Sequence, residues 1–231
     1  MKLNNRRTIL TGLAFLSICA FWQMYDSVIP LILTKTFHMN ETFSGAIMAA
    51  DNILALFLLP FFGARSDRTN TKIGKRMPYI LFGTGCAVIL MNLLPLIDNS
   101  YAAAPSGFKT ASFVIVLGLL LVAMGTYRSP AVALMPDLTP KPLRSRANAI
   151  INLMGAVGGI LYLAVAAVLY SQKRLDAMGL TKADRLDYQP LFLIVSAIMF
   201  VSVGVLFLTI LVPDMLVIIP RMANYSKFDI L

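Results

Sequence analysis

The sequence predicts an all-α membrane protein of six transmembrane helices with both termini on the cytoplasmic side. Three observations carry that expectation. Mean hydropathy is +0.76 and only 13% of the residues are charged, where a soluble chain carries about 25%. The apolar residues fall in six blocks, at about 9–35, 42–62, 78–97, 112–135, 147–170 and 190–212, each close to the roughly 20 residues of helix that cross a hydrocarbon core. The basic residues crowd into alternate connections. Backbone groups in lipid must pair within their own segment, so blocks of this length are helices and not strands.

The charge pattern sets the orientation. With the N-terminus inside, the inner segments hold Lys2, Arg6, Arg7, Arg65, Arg68, Lys72, Lys75, Arg76, Lys141, Arg144, Arg146, Arg221 and Lys227. The outer segments hold fewer: Lys35, Lys109, Lys173, Arg174, Lys182 and Arg185, with Asp176, Asp184 and Asp187 balancing the last group. A cytoplasmic excess of Lys and Arg is the usual topology signal. It accounts for the formal net charge of +9 without a nucleic-acid partner.

The elements follow in order. Met1 to Arg7 has the charge of a secretory leader, but the apolar stretch behind it is too long and no small-residue cleavage site follows, so it is read as the first membrane helix. Thr36 to Glu41 makes the first outer turn. Gly63 to Pro78 makes a basic inner loop. Asp98 to Ala111 makes the second outer turn, with Pro105 and Gly107. Pro136, Pro140 and Pro142 are expected to end the fourth helix. Residues 171–189 form the longest polar outer segment. Residues 1–213 are thus one bundle, and 214–231, interrupted by Pro220, form an interfacial tail in the cytoplasm. On the fifth helix Gly155 and Gly159, with Ala147 and Ala156 nearby, suit close helix–helix contact, and Asn148 and Asn152 suit either interhelical hydrogen bonds or a solute path.

Three ionisable residues lie within the spans: Asp26, Asp51 and Arg128. Charges at that depth are costly, so they face a cavity or pair with one another. Asp51 is a candidate proton or cation site, and Arg128 a candidate partner for an acid or for substrate hydroxyls. On the first helix Trp22, Asp26, Ile29 and Pro30 share a face, with Gln23 beside them. A ring beside a carboxylate and an amide suits a sugar, because rings stack on apolar sugar faces and carboxylates accept hydroxyl hydrogens. The single His38, in an outer turn, and the absence of HExxH and GxSxG patterns argue against an enzyme. Cys19 and Cys86 sit on different spans, so no disulfide framework, metal or cofactor is expected.

The loop Gly63, Asp67, Arg68, Gly74, Lys75, Arg76 resembles the signature between helices two and three of the major facilitator superfamily, with four extra residues between Asp67 and Gly74. That spacing, running into Pro78-Tyr-Ile-Leu-Phe-Gly-Thr84, resembles two sugar-transporting branches: the sucrose transporters and the glycoside–pentoside–hexuronide cation symporters. A second block, Pro130 to Asp137-Leu138 and Arg144 to Ala149, resembles the helix four to five region of the sucrose transporters. The resemblance implies the N-terminal half of that fold in the plasma membrane, carrying a sugar or glycoside together with a proton or other cation by alternating access. Where the sucrose transporters have a functional arginine this chain has Val132, with Arg128 one turn earlier. The aspartates that bind cations in the symporter branch fall at Ala55 and Leu59, so the resemblance points to protons through Asp51 or Asp26. Asp67 is expected to cap a helix or pair with an arginine, Lys75 and Arg76 to meet lipid headgroups, and Asp137 to belong to the same conformational rim. A half of this kind is expected to pair with a second copy or a separate second half. The open alternative is a non-transporting half-carrier or regulatory membrane partner.

Overall fold

The computed structural model describes residues 4–71, 73–181 and 184–211. Helix α1 spans Asn5–Leu31 and continues through a wider π turn, Ile32–Thr36. Next come α2 (Glu41–Asp67), α3 (Met77–Ala103), α4 (Gly107–Leu138), α5 (Arg144–Leu169), a short α6 (Gln172–Ala177) and α7 (Gln189–Leu206). Among the described residues six helices are long and apolar enough to cross a membrane. The tail assigned to 214–231 lies outside the described residues.

The helices outrun the apolar blocks because hydropathy ends where polar side chains begin, whereas the backbone ladder continues. Asn4 Oδ1 accepts from Arg7 N at 3.1 Å and starts α1, the usual role of an Asn N-cap. Two boundaries differ from the sequence expectation. α3 runs through Asp98 to Ala103, leaving only residues 104–106 as the second turn at that end. α4 runs through Pro130 and Pro136 to Leu138. A proline removes one donor and not the whole ladder, and the freed end is capped: Arg144 Nη2 donates to the Pro136 carbonyl at 2.8 Å.

α1 forms the centre, packed most extensively on α5 and α7; α3 packs on α4 and α7, and α2 rests mainly on α4. Phe21, Tyr25, Ile29, Met91, Phe113, Tyr127 and Phe192 lie in the resulting core. The fully buried Tyr127 ties α4 to α1, its hydroxyl donating to Ala14 O at 2.9 Å beside Ser17. Glycines permit the tight crossings: a Cβ on Gly83 would lie 2.7 Å from Tyr127 N, and one on Gly158 would collide with the Leu16 carbonyl. The small pair that meets α1 is therefore Gly155 and Gly158, both buried. Gly159 turns toward Gln23. One helix stands apart: in α2 only Ser44 and Ser66 are buried, leaving an apolar surface that only lipid or another protein surface satisfies.

Candidate functional site

Helices α1, α2 and α4 bring Trp22, Asp51 and Arg128 to the wall of one cavity, completed by Leu54, Ala55, Leu58, Leu59, Leu121 and Gly125. Spacing places them there. Asp51, Leu54, Ala55 and Leu58 recur on one face of α2, and Leu121, Gly125 and Arg128 on one face of α4. Gly125 lets Leu58 approach, since a Cβ at that position would lie 3.2 Å from it. The Arg128 guanidinium stands over the Trp22 ring, 5.3 Å from its centroid, a cation–π arrangement that is strongest where water is excluded. No carboxylate reaches the 4.0 Å ion-pair distance from Arg128 among the described residues. Arg128 and Asp51 thus share a cavity without closing into a pair.

Three buried polar atoms in this neighbourhood have no hydrogen-bond partner among the described residues: Trp22 Nε1, Tyr25 Oη and Asp51 Oδ1. Leaving one such group unpaired costs about 1–3 kcal/mol, so their clustering makes this neighbourhood a candidate site for a ligand, water or proton. The cavity measures about 20 Å³, room for about one water and not for a sugar. Asp26 lies within electrostatic reach of Asp51 but on the exposed side of α1, next to exposed Gln23. Ile29, expected on the same face as Asp26, is fully buried in the core instead. On α5, Asn148 and Asn152 are exposed and one residue around from the stripe that meets α1. They make no interhelical hydrogen bond with a described residue. The structure therefore divides the polar candidates into a half-buried trio and an open face.

The basic loop is organised around Arg76, 7% exposed. Its Nε donates to Asp137 Oδ2 at 2.9 Å, its Nη1 donates to Ser66 Oγ at 2.8 Å, and its Nη2 pairs with Asp67 Oδ1 at 2.5 Å. Lys75 Nζ is 3.4 Å from the same Asp137 oxygen. Arg76 was expected at headgroups; the guanidinium fork instead joins the last turns of α2 and α4, which its five donors in fixed geometry make possible. Gly63 allows α2 to cross α4, a Cβ there lying 3.0 Å from Ser129 Oγ. Gly74 has φ +88°, a conformation that glycine adopts without strain. Arg68 is exposed and joins none of these contacts.

A second ion network closes the opposite end, and sequence reasoning did not anticipate it. Asp98, fully buried, accepts from Arg185 Nη2 at 2.8 Å; Arg185 also donates to Asn99 Oδ1, and Asn99 Nδ2 donates to Asp187 Oδ1 at 3.0 Å. Tyr188 packs beside it, where burial first and the Asp98 charge second push its hydroxyl up to about 12. Thr181 donates to the Asp184 carboxylate from its backbone and its hydroxyl and holds that group below the usual carboxylate range. The available signal was the acid–base balance of the 171–189 segment.

The family model for the Major Facilitator Superfamily matches residues 11–226. Sucrose transport protein SUC3 of Arabidopsis thaliana is 33% identical over 139 residues, 55% of this chain and 23% of its own length. Sucrose transport protein SUT3 of Oryza sativa subsp. japonica is 28% identical over 170 residues, 66% of this chain and 33% of its own. Sucrose transport protein SUT1 of the same subspecies is 29% identical over 169 residues, 67% of this chain and 31% of its own. The chain thus spans about a third or less of the length of these relatives.

Proposed function

Because the chain belongs to the Major Facilitator Superfamily, we propose that it supplies one six-helix half of a secondary transporter for a sugar or glycoside, driven by protons through alternating access. The observation that carries this reading is the meeting of Trp22, Asp51 and Arg128 around one cavity, with unpartnered Trp22 Nε1, Tyr25 Oη and Asp51 Oδ1 in the same neighbourhood. The names of the plant relatives supply the solute class.

Cavity size supports a division of roles. A cavity of about 20 Å³ suits a proton carried by Asp51 or by one water, so the sugar lies over the open face of Gln23, Asp26, Asn148 and Asn152, against the Trp22 edge. Arg128 then acts as a movable charge, held by the ring when Asp51 is protonated and drawn to Asp51 when the proton leaves. A second six-helix unit, another copy or a separate half, covers that face and completes a midplane site between two halves. The end bearing Arg76 faces the cytoplasm of the cell whose plasma membrane holds the protein, in accord with its basic residues. There the Asp67–Arg76–Asp137 bridge holds the inner rim of α2 to α4 and changes as the inside opens.

Uptake of a labelled sugar panel into proteoliposomes carrying the protein tests this reading. Sugar is expected to accumulate when an inward proton gradient is imposed and only to equilibrate without one. No gradient-stimulated uptake of any sugar would contradict a carrier built from two copies of this chain.

A further inference from the structure

At the basic end, a recess of about 510 Å³ opens between the last turns of α2 and the first turn of α3, lined by Phe61, Ala64, Arg65, Arg68, Thr69 and Tyr79. It lies nearer the basic end than the cavity of Trp22, Asp51 and Arg128 and shares no lining residue with it. Neither the Arg65 nor the Arg68 side chain has an ion pair or hydrogen bond with a described residue. The nearby carboxylates do not serve them, because Asp67 and Asp137 are engaged by Arg76 and Lys75. Tyr79 Oη and Thr69 Oγ1 are 2.9 Å apart, and Thr69 Oγ1 donates to the Arg65 carbonyl at 3.0 Å. This chain fixes the wall of the recess and leaves the two guanidinium groups as its unspent donors.

We propose that this recess binds the phosphate of an anionic phospholipid headgroup. Guanidinium groups present paired donors that match phosphate oxygens, and basic side chains at a membrane rim attract anionic lipid. The choice of a lipid over a soluble phosphate rests on the residues leading to the site. Phe57, Phe61, Arg65 and Arg68 are spaced i, i+4, i+8 and i+11, which places them on one face of α2. Phe57 is 67% and Phe61 60% exposed. The row thus runs from apolar to cationic toward the end of the span. An acyl chain lies along the phenylalanines while its phosphate reaches the arginines.

Native mass spectrometry of the detergent-solubilised protein tests this with dioleoyl phosphatidylglycerol, dioleoyl phosphatidylcholine and inorganic phosphate as probes. One phosphatidylglycerol per chain is expected to be retained in preference to phosphatidylcholine. Arg65→Gln/Arg68→Gln is expected to weaken that binding by roughly fivefold per arginine. Lys141→Gln/Arg146→Gln, an equal loss of charge from exposed positions at the same end, is expected to change it less than twofold. Arg65→Lys/Arg68→Lys keeps both charges and is expected to bind better than the glutamine variant, which separates recognition from misfolding. Equal retention of the two lipids would overturn the proposal, as would equal weakening by Lys141→Gln/Arg146→Gln, or a lysine variant no better than the glutamine one. Displacement by inorganic phosphate at matched concentration would overturn the lipid assignment in favour of a soluble phosphate.

Discussion

Arg185→Ala is expected to destabilise the folded bundle by about 3–5 kcal/mol, the range for removing one partner of a buried ion pair. The asymmetry of the pair makes the cost large. Asp98 is fully buried, whereas the Arg185 side chain is 30% exposed. Deleting the arginine therefore leaves a buried carboxylate with Thr36 as its remaining side-chain partner, and it also frees Asn99 from its contact with Arg185. Adding Asp98→Asn to Arg185→Ala removes the stranded charge and is expected to recover much of the loss. Thermal unfolding in detergent checks both variants. An unchanged midpoint for Arg185→Ala would show that the network does not hold the 184–188 segment against α3.

Arg76→Ala is expected to cost about 2–3 kcal/mol and to impair transport out of proportion to that loss. Each hydrogen bond to a charged group is worth about 1.5–3 kcal/mol, and Arg76 makes three contacts. The carboxylates left behind are 55% exposed at Asp67 and 30% at Asp137, so water recovers part of the loss. Arg76→Lys is expected to rescue little, because an ammonium does not reproduce the planar fork that reaches Ser66, Asp67 and Asp137 together. Asp67→Asn, at the most exposed carboxylate, is expected to slow uptake while membrane insertion stays intact. Uptake rates beside unfolding midpoints separate the two effects. Normal uptake by Arg76→Ala would end the proposed role of the rim in conformational change.

The six spans were legible because apolar length is a property of single segments. So were Asp26, Asp51 and Arg128, since a charge inside an apolar block is visible without a fold. Pairings were not. Asp98 and Arg185 are far apart in the chain, and nothing local at either position says that α3 and the segment before α7 close on one another. Arg76 read as one cation among five in its loop; its burial depends on where α4 ends, and the prolines placed that end too early. The Trp22–Arg128 contact was hidden for a similar reason. Helical spacing gave Trp22 and Asp26 a common face on α1, but α2 and α4 then enclose Trp22 and leave Asp26 in the open. Gly158 was passed over for Gly159 because small residues four apart suggest a seam, and only the α1 backbone chooses between neighbours.

The proposed transport mechanism divides a half-buried proton site at Asp51 from an open sugar face. Sugar movement by Asp51→Asn in proteoliposomes, measured once as uptake driven by a proton gradient and once as exchange of labelled for unlabelled sugar at equal pH, tests it most directly. Accumulation above equilibrium is expected to disappear while exchange persists, because asparagine fills the cavity but does not ionise. Gradient-driven accumulation at the unsubstituted level in Asp51→Asn would contradict it.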